Sequence, residues 1–131
     1  MIGHSPRDVA PQAKMRGMEH VIAATGYSAA GLRVLLREQA FRHELVVGGL
    51  IIATHLAIGV SALFIAGQFL IIAMLLAAEA LNTAIEKIVD RLSPERSAFA
   101  RDAKDLGSTA VFFIIIANAI FAILAWPSNV A

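Results

Sequence analysis

The sequence predicts an all-α membrane protein: an amphipathic surface helix followed by three transmembrane helices. The strongest sign is where the charges lie. All Lys, Arg, Asp and Glu residues fall between Arg7 and Glu44 or between Glu79 and Asp105, and residues 45–78 and 106–131 carry none. A water-soluble domain intersperses charge along most of its length, so this segregation means a second solvent. The composition agrees, with 58% hydrophobic and 16% charged residues. The absence of cysteine excludes a disulfide framework and a thiolate metal site.

Residues 1–14 hold Pro6, Arg7, Asp8 and Pro11 without an apolar run, which predicts a disordered tail rather than a cleavable signal peptide. Residues 15–37 are amphipathic: Met18, Val21, Ile22, Leu32, Leu35 and Leu36 recur at helical spacing beside Arg16, Arg33 and Arg37. This segment is too short in apolar sequence to span, but it can lie in the headgroup layer with its apolar face down. The alternative is a helix packed on the cytoplasmic ends of the spans. Gly26 and Gly31, bracketing Tyr27-Ser28, predict a bend within it.

The membrane domain is then expected over residues 38–131. As one helix the uncharged block 45–78 would run roughly 51 Å, far beyond a hydrocarbon core of ~30 Å. It must break, and Gly59-Val60-Ser61 is the most turn-like triplet, with Gly67-Gln68 second. The first span is placed at about 40–58 and the second at about 62–92. Ser93-Pro94 ends the second. Pro94-Glu95 reads as the first turn of the next helix with Ser93 as its cap. That helix, about 98–126, begins amphipathic and turns apolar from Leu106. Trp126 suits the interface, and Pro127 stops the helix.

Lys14, Arg16, Arg33, Arg37 and Arg42 precede the first span, and Lys87, Arg91, Arg96, Arg101 and Lys104 lie between the second and third. The positive-inside rule puts both groups, and the N-terminus, in the cytoplasm. A charged substrate therefore arrives from that side.

From Glu79 to Asp90 the second span changes character. At about 100° per residue Glu79, Thr83, Glu86 and Asp90 fall within roughly 60° of one another, flanked by Asn82. For Asp90, Arg91 and Lys87 a solvated helix end is sufficient explanation. Glu79 is different, because an ionised acid at membrane depth costs on the order of 3 kcal/mol even on translocon scales. Glu38 and Glu44 flank Arg42 at the entrance of the first span, and Lys104 and Asp105 stand at the entrance of the third. Three helices thus deliver carboxylates, an amide and an ammonium to one cytoplasmic rim. Hard oxygen ligands suit Mg²⁺, which binds through one or two carboxylates plus substrate phosphates, and a lysine beside it suits phosphate.

The remaining polar residues of the spans, His55, Gln68 and Asn118, read as interhelical hydrogen-bonders, and Gly48-Gly49 as a site of close packing. No GxxxxGK[ST] loop, protein-kinase set, serine nucleophile elbow or HExxH occurs, and nothing indicates nucleic-acid binding.

The run Glu79-Ala-Leu-Asn-Thr-Ala-Ile-Glu-Lys-Ile-Val-Asp90 closely resembles the ExxNxAIExxxD signature of the prokaryotic diacylglycerol kinases, small three-span membrane enzymes unrelated to other kinases. Ala24-Thr-Gly-Tyr-Ser28 with Gly31-Leu-Arg33, Glu38-Gln-Ala-Phe-Arg-His-Glu44 and Ala103-Lys-Asp-Leu-Gly-Ser108 match in order and spacing, over about residues 17–126. The resemblance implies transfer of the γ-phosphoryl of MgATP to diacylglycerol, giving phosphatidate. It also implies a homotrimer of the bacterial inner membrane with sites shared between subunits at the cytoplasmic surface. It makes Glu79 the general base, and Glu38 and Glu86 the acids that hold Mg²⁺ on the nucleotide. Tyr27, Glu95, Lys104 and Asp105 become nucleotide contacts, and Asn82 and Asp90 supporting groups. Arg33, Ala40, Phe41, Arg42, Glu44 and Ser108, with Glu79, become the lipid-facing wall. The chain departs from the family pattern at His43, where enterobacterial members carry glutamine, and at His20, which replaces an arginine. The connector from Arg33 to Glu38 is one residue shorter.

Two other readings stand beside this one. Undecaprenol kinases share the fold, and Ala103–Ser108 with Glu44 favours diacylglycerol over the polyprenyl alcohol. A small proton- or cation-coupled transport subunit would also use intramembrane acids. Transport needs polar groups along the whole path, however, and the half beyond Glu79 offers only Gln68 and His55.

Overall fold

The computed structural model describes residues 17–95 and 97–126. The expected N-terminal tail and Pro127 lie outside the described residues, as does the side chain of His20. Four helices follow in order: α1 (Met18–Leu35), α2 (Gln39–Ala57), α3 (Ala62–Leu92) and α4 (Ala98–Ala125). No strand occurs among the described residues.

Contacts divide the chain into two units, with the boundary between Leu32 and Arg33. The first is the body of α1, which runs as continuous helix through Gly26 and Gly31, the place where a bend is expected. Both glycines keep helical geometry and meet no neighbouring atom, so nothing forces a break there. Its apolar residues Ile22 and Leu32 are exposed.

In the second unit α3 is the central element, packed on both α2 and α4. The α2–α3 turn falls at the expected triplet. Val60 N–H donates to His55 C=O at 3.0 Å and Gly59 N–H to Leu56 C=O at 3.3 Å, the paired bonds of a Schellman stop. Gly59 takes φ +75°, a conformation that side chains with a Cβ avoid.

The start of α4 differs from expectation. The N-cap is Ser97, whose hydroxyl accepts from Ala100 N–H at 3.1 Å. Ser93 instead ends α3 and turns its hydroxyl to Glu95 C=O and the Ser97 hydroxyl. Pro94 and Glu95 are therefore loop, because the serine that can reach an N3 amide is the one four residues later.

The unit buries polar side chains among its apolar core and turns large apolar side chains outward. His55, Gln68, Glu79, Asn82, Thr83 and Asn118 are buried, while Leu63, Phe69, Phe113 and Ile123 are more than half exposed. Exposed apolar surface on this scale needs an apolar solvent. Among the described residues α3 and α4 are each long and apolar enough to cross a membrane. The Gln68 and Asn118 amides meet in the interior, Gln68 Nε2 donating to Asn118 Oδ1, as expected for interhelical hydrogen-bonders. Gly48 lets Ile72 approach so closely that a Cβ there would come within 2.9 Å of its Cγ2, whereas Gly49 faces open space.

Candidate active site

The polar face of α3 meets the first turns of α2 and the first half of α4. Glu79, Asn82, Thr83 and Glu86 recur at spacings of three and four, so one helix face carries them all. Glu38, the residue that precedes α2, and Glu44, one turn and a half further on, approach from one side; Ser108 and Ile115 of α4 approach from the other. Together they line a cavity of about 490 Å³. Glu79, Asn82 and Thr83 are buried, and Glu38, Glu44 and Glu86 half-buried.

Four carboxylates share this cavity, and the only ion pair to any of them among the described residues is Lys87 Nζ on Glu38 Oε1 at 2.8 Å. Asn82 Nδ2 donates to Glu86 Oε1 at 3.2 Å. Asn82 Oδ1 and Glu44 Oε2 are buried without a partner. Gly107 underlies this arrangement: a Cβ there would collide with Asn82 Oδ1, so the α3–α4 approach that seats the amide needs glycine.

One turn beyond Glu86 along α3 a second cavity opens, of about 670 Å³, between the end of α3 and the start of α4. Asp90, Ser93, Glu95, Arg101, Lys104 and Asp105 line it. Lys104 Nζ donates to Asp90 Oδ1 at 2.6 Å across its floor.

The structure thus gathers Glu38, Ala40, Glu44, Glu79, Asn82, Glu86 and Ser108 in one cavity, and Asp90, Glu95, Lys104 and Asp105 in the next. Arg33, Phe41 and Arg42 line neither; Phe41 is buried and the two arginines are exposed. Tyr27 is exposed on α1, within the first unit. Sequence reasoning did not single out Gly107, the Lys87–Glu38 pair or Ser97, and it treated Ser93 only as a helix cap although both serines line the second cavity. Only Thr83, placed on the acidic stripe, carried an advance signal.

The donor set fits a hard divalent cation. Glu38 and Glu86 face one cavity, and the unpartnered Asn82 Oδ1 and Glu44 Oε2 add oxygens beside them. No three His, Cys, Asp or Glu residues converge on one point among the described residues. Mg²⁺ needs only one or two protein carboxylates, with water and substrate phosphate completing its shell, so Glu38 and Glu86 would suffice to hold it.

Comparison with known proteins gives one answer. The family model for prokaryotic diacylglycerol kinase matches residues 26–126. The diacylglycerol kinase of a Sinorhizobium species is 39% identical over 119 residues, 91% of this chain and 87% of that protein. Those of Pseudomonas aeruginosa and Escherichia coli K12 are 38% and 37% identical, covering 73% and 84% of this chain and 79% and 92% of their own.

Proposed function

This chain belongs to the prokaryotic diacylglycerol kinase family, and we propose that it transfers the γ-phosphoryl group of MgATP to the free hydroxyl of diacylglycerol by direct in-line displacement. It is a diacylglycerol kinase, a lipid kinase that needs a nucleotide co-substrate. The observation that carries the rest is the cavity in which Glu79 lies buried at the edge of the apolar region with Glu86 two turns, about 10.5 Å, further along the same face.

In this reading Glu79 accepts the proton of the lipid hydroxyl. The hydroxyl oxygen bonds to the γ-phosphorus as the bond to the β,γ-bridging oxygen breaks, and phosphatidate and ADP leave. Glu38 and Glu86 would hold Mg²⁺, which when bound neutralises charge on the transferring phosphates. Asn82 fixes Glu86 through its Nδ2 bond. The nucleotide lies in the second cavity with Lys104 against its phosphates, and Glu95 and Asp105 contact it there. Its triphosphate points along α3 toward Glu86. Ala40, Glu44 and Ser108 face the lipid, with Arg33, Phe41 and Arg42 shaping the surrounding wall.

The same reading makes α2 a third span, although Arg42, His43 and Glu44 in its first turns leave it a shorter apolar run than α3 or α4. It places α1 in the headgroup layer, the N-terminus and both cavities on the cytoplasmic side of the bacterial inner membrane, and the chain in a homotrimer with shared sites. Basic residues clustered on that one side support the orientation.

Phosphorylation in mixed micelles, with diacylglycerol and undecaprenol offered side by side to wild type and Glu79→Gln, tests the proposal. Diacylglycerol-dependent turnover that falls at least 100-fold in a folded Glu79→Gln protein is the expected result. Preference for undecaprenol would keep the chemistry and replace the acceptor. Ion flux without phosphoryl transfer would sink the kinase reading.

A further inference from the structure

Thr83 stands on the acidic stripe of α3 and has no role in the transfer described above. It is 7% exposed and lines the cavity that holds Glu79 and Glu86. A hydroxyl inside a helix ordinarily satisfies itself by donating to the carbonyl three or four residues back. In this chain Ser28, Thr54 and Thr109 do so, donating to Ala24, Leu50 and Asp105 C=O. The Thr83 hydroxyl bonds neither Glu79 C=O nor any other group among the described residues. Nor is it sealed in, as the unpartnered Asn82 Oδ1 and Glu44 Oε2 are. Ser108, whose hydroxyl is also unbonded among the described residues, lines the same cavity.

Thr83 lies four residues, about 6 Å, beyond Glu79 and three, about 4.5 Å, short of Glu86. On the helical wheel Asn82 and Thr83 flank the two acids, at about −60° and +40° from Glu79 with Glu86 at about −20°. Asn82 lies against Gly107 of α4, and Lys87, about 40° beyond Thr83, reaches Glu38 at the start of α2. Thr83 therefore marks the α2 edge of the stripe. A phosphoryl group passing from a nucleotide held at Glu86 to a hydroxyl held at Glu79 crosses its level. Donors are scarce there. Besides four carboxylates, the polar side chains lining the cavity are Gln39, Asn82, Thr83 and Ser108. Gln39 and Ser108 are exposed, and Asn82 Nδ2 is bonded to Glu86. Thr83 is the buried donor still uncommitted.

We propose that Thr83 is a catalytic residue whose hydroxyl donates a hydrogen bond to a non-bridging oxygen of the phosphoryl group during transfer. The assignment rests on the lipid-kinase reading above. The lipid oxygen bonds to phosphorus, the bond to the β,γ-bridging oxygen breaks and the lipid proton goes to Glu79. Thr83 keeps its own proton throughout. Negative charge spread over the non-bridging oxygens, in a cavity lined by carboxylates, needs donors aimed at it. A donor already in place, with no bond to give up, needs no reorganisation at the moment of reaction. In the resting protein the same hydroxyl is a liability, because a buried donor without a partner destabilises the fold.

The test compares Thr83→Val, which keeps the shape and removes the hydroxyl, with Thr83→Ala and Thr83→Ser. The full chain is assayed in mixed micelles with dioctanoylglycerol and MgATP, beside thermal unfolding in the same detergent. In Thr83→Val and Thr83→Ala kcat should fall about 10- to 100-fold, as for one hydrogen bond to a charged group. KM for each substrate should stay within about threefold, and Thr83→Ser should keep kcat within about threefold of wild type. The melting temperature of Thr83→Val should be no lower than that of wild type, since no bond of the resting protein is lost. Overturning results are a kcat within about twofold of wild type in Thr83→Val and Thr83→Ala, or a Thr83→Ser as slow as Thr83→Val. A fall in kcat that tracks a fall in melting temperature across the three variants would make Thr83 a packing residue and overturn the proposal equally. Each of these leaves the kinase reading intact. A wild type that phosphorylates no diacylglycerol overturns that reading, and this inference with it.

Discussion

Replacing Gly107 with alanine should damage catalysis far more than stability. The added Cβ collides with Asn82 Oδ1, while Asn82 Cγ lies at 3.4 Å and the nearest atom of any other residue, Ile85 Cδ1, at an ordinary 3.7 Å. The Asn82 amide must therefore rotate, which removes the 3.2 Å bond from its Nδ2 to Glu86 Oε1. A hydrogen bond to a charged group contributes about 1.5–3 kcal/mol, or roughly 10- to 100-fold if the whole of it is lost in the transition state. The fold is hurt less. Overpacking costs about 1–3 kcal/mol, and alanine returns about 0.8–1 kcal/mol of helix propensity over glycine. The assay is steady-state phosphorylation at varied Mg²⁺, beside thermal unfolding in the same detergent. Expected are a kcat reduced at least tenfold, a raised Mg²⁺ requirement and a nearly unchanged melting temperature. The decisive comparison is a double-mutant cycle with Asn82→Ala. If Gly107→Ala acts by displacing the amide, it should cost little once the amide is gone. Equal loss in both backgrounds, or wild-type kinetics in Gly107→Ala, would refute the argument.

Other outcomes follow from single contacts. Lys87→Ala frees Glu38 of its 2.8 Å ion pair, which is exposed; such pairs contribute about 0.2–1 kcal/mol, so half-saturation with Mg²⁺ should occur at up to about fivefold lower concentration, read by titration. Lys104→Met removes the ammonium that bonds Asp90 and should raise the KM for nucleotide while leaving that for lipid unchanged in two-substrate kinetics. Gln68→Leu leaves Asn118 unpaired in the interior and should destabilise by about 0.6–1.7 kcal/mol in a detergent unfolding titration. Adding Asn118→Leu should recover most of that loss, because removing both partners leaves no orphan. Gly59→Ala forces a Cβ into φ +75° and should cost roughly 1–2 kcal/mol in the same titration.

The limits of α2, α3 and α4 were legible to within a residue because their causes are local. Charge withdraws at Leu45 and returns at Glu79, and Gly59 is one of only two described residues that take positive φ. The α4 cap was misassigned for an equally local reason. Ser93 and Ser97 are both plausible caps, and the choice depends on which hydroxyl finds a free amide. Within the site, the stripe from Glu79 to Glu86 could be read from helical periodicity. Whatever depends on the rotation of one helix against another could not. Lys87 projects about 80° from Glu79 on the helical wheel, and only the placement of α2 brings it to Glu38. Gly107 is one glycine among nine until Asn82 is seen against it. Phe41, adjacent in sequence to Ala40 of the acidic cavity, is buried because α2 turns it the other way.

The polar interior that allows phosphoryl transfer is also what holds the helices together. Lipid is as apolar as leucine, so burying apolar side chains against one another gains little in a bilayer. Helices must associate through close backbone approach and internal hydrogen bonds, and this chain does so at three depths. Ile72 covers Gly48, and Phe121 covers Gly67 closely enough that a Cβ there would stand 2.7 Å from its Cζ. Asn82 covers Gly107 at the level of the site. Gln68 and Asn118 bond in the interior between α3 and α4. The uppermost of these contacts is made by a residue that also holds Glu86, so packing and site geometry are set by the same atoms. Phosphoryl transfer depends mainly on positioning, and under the proposed roles Glu79 and Glu86 are held in register by one rigid helix. Catalytic geometry should therefore be most sensitive to the α3–α4 contact at Gly107, less to Gly67 and least to Gly48, which lies against a flexible aliphatic side chain. Alanine at each of the three in turn, scored by the ratio of lost kcat to lost stability, gives that order or breaks it.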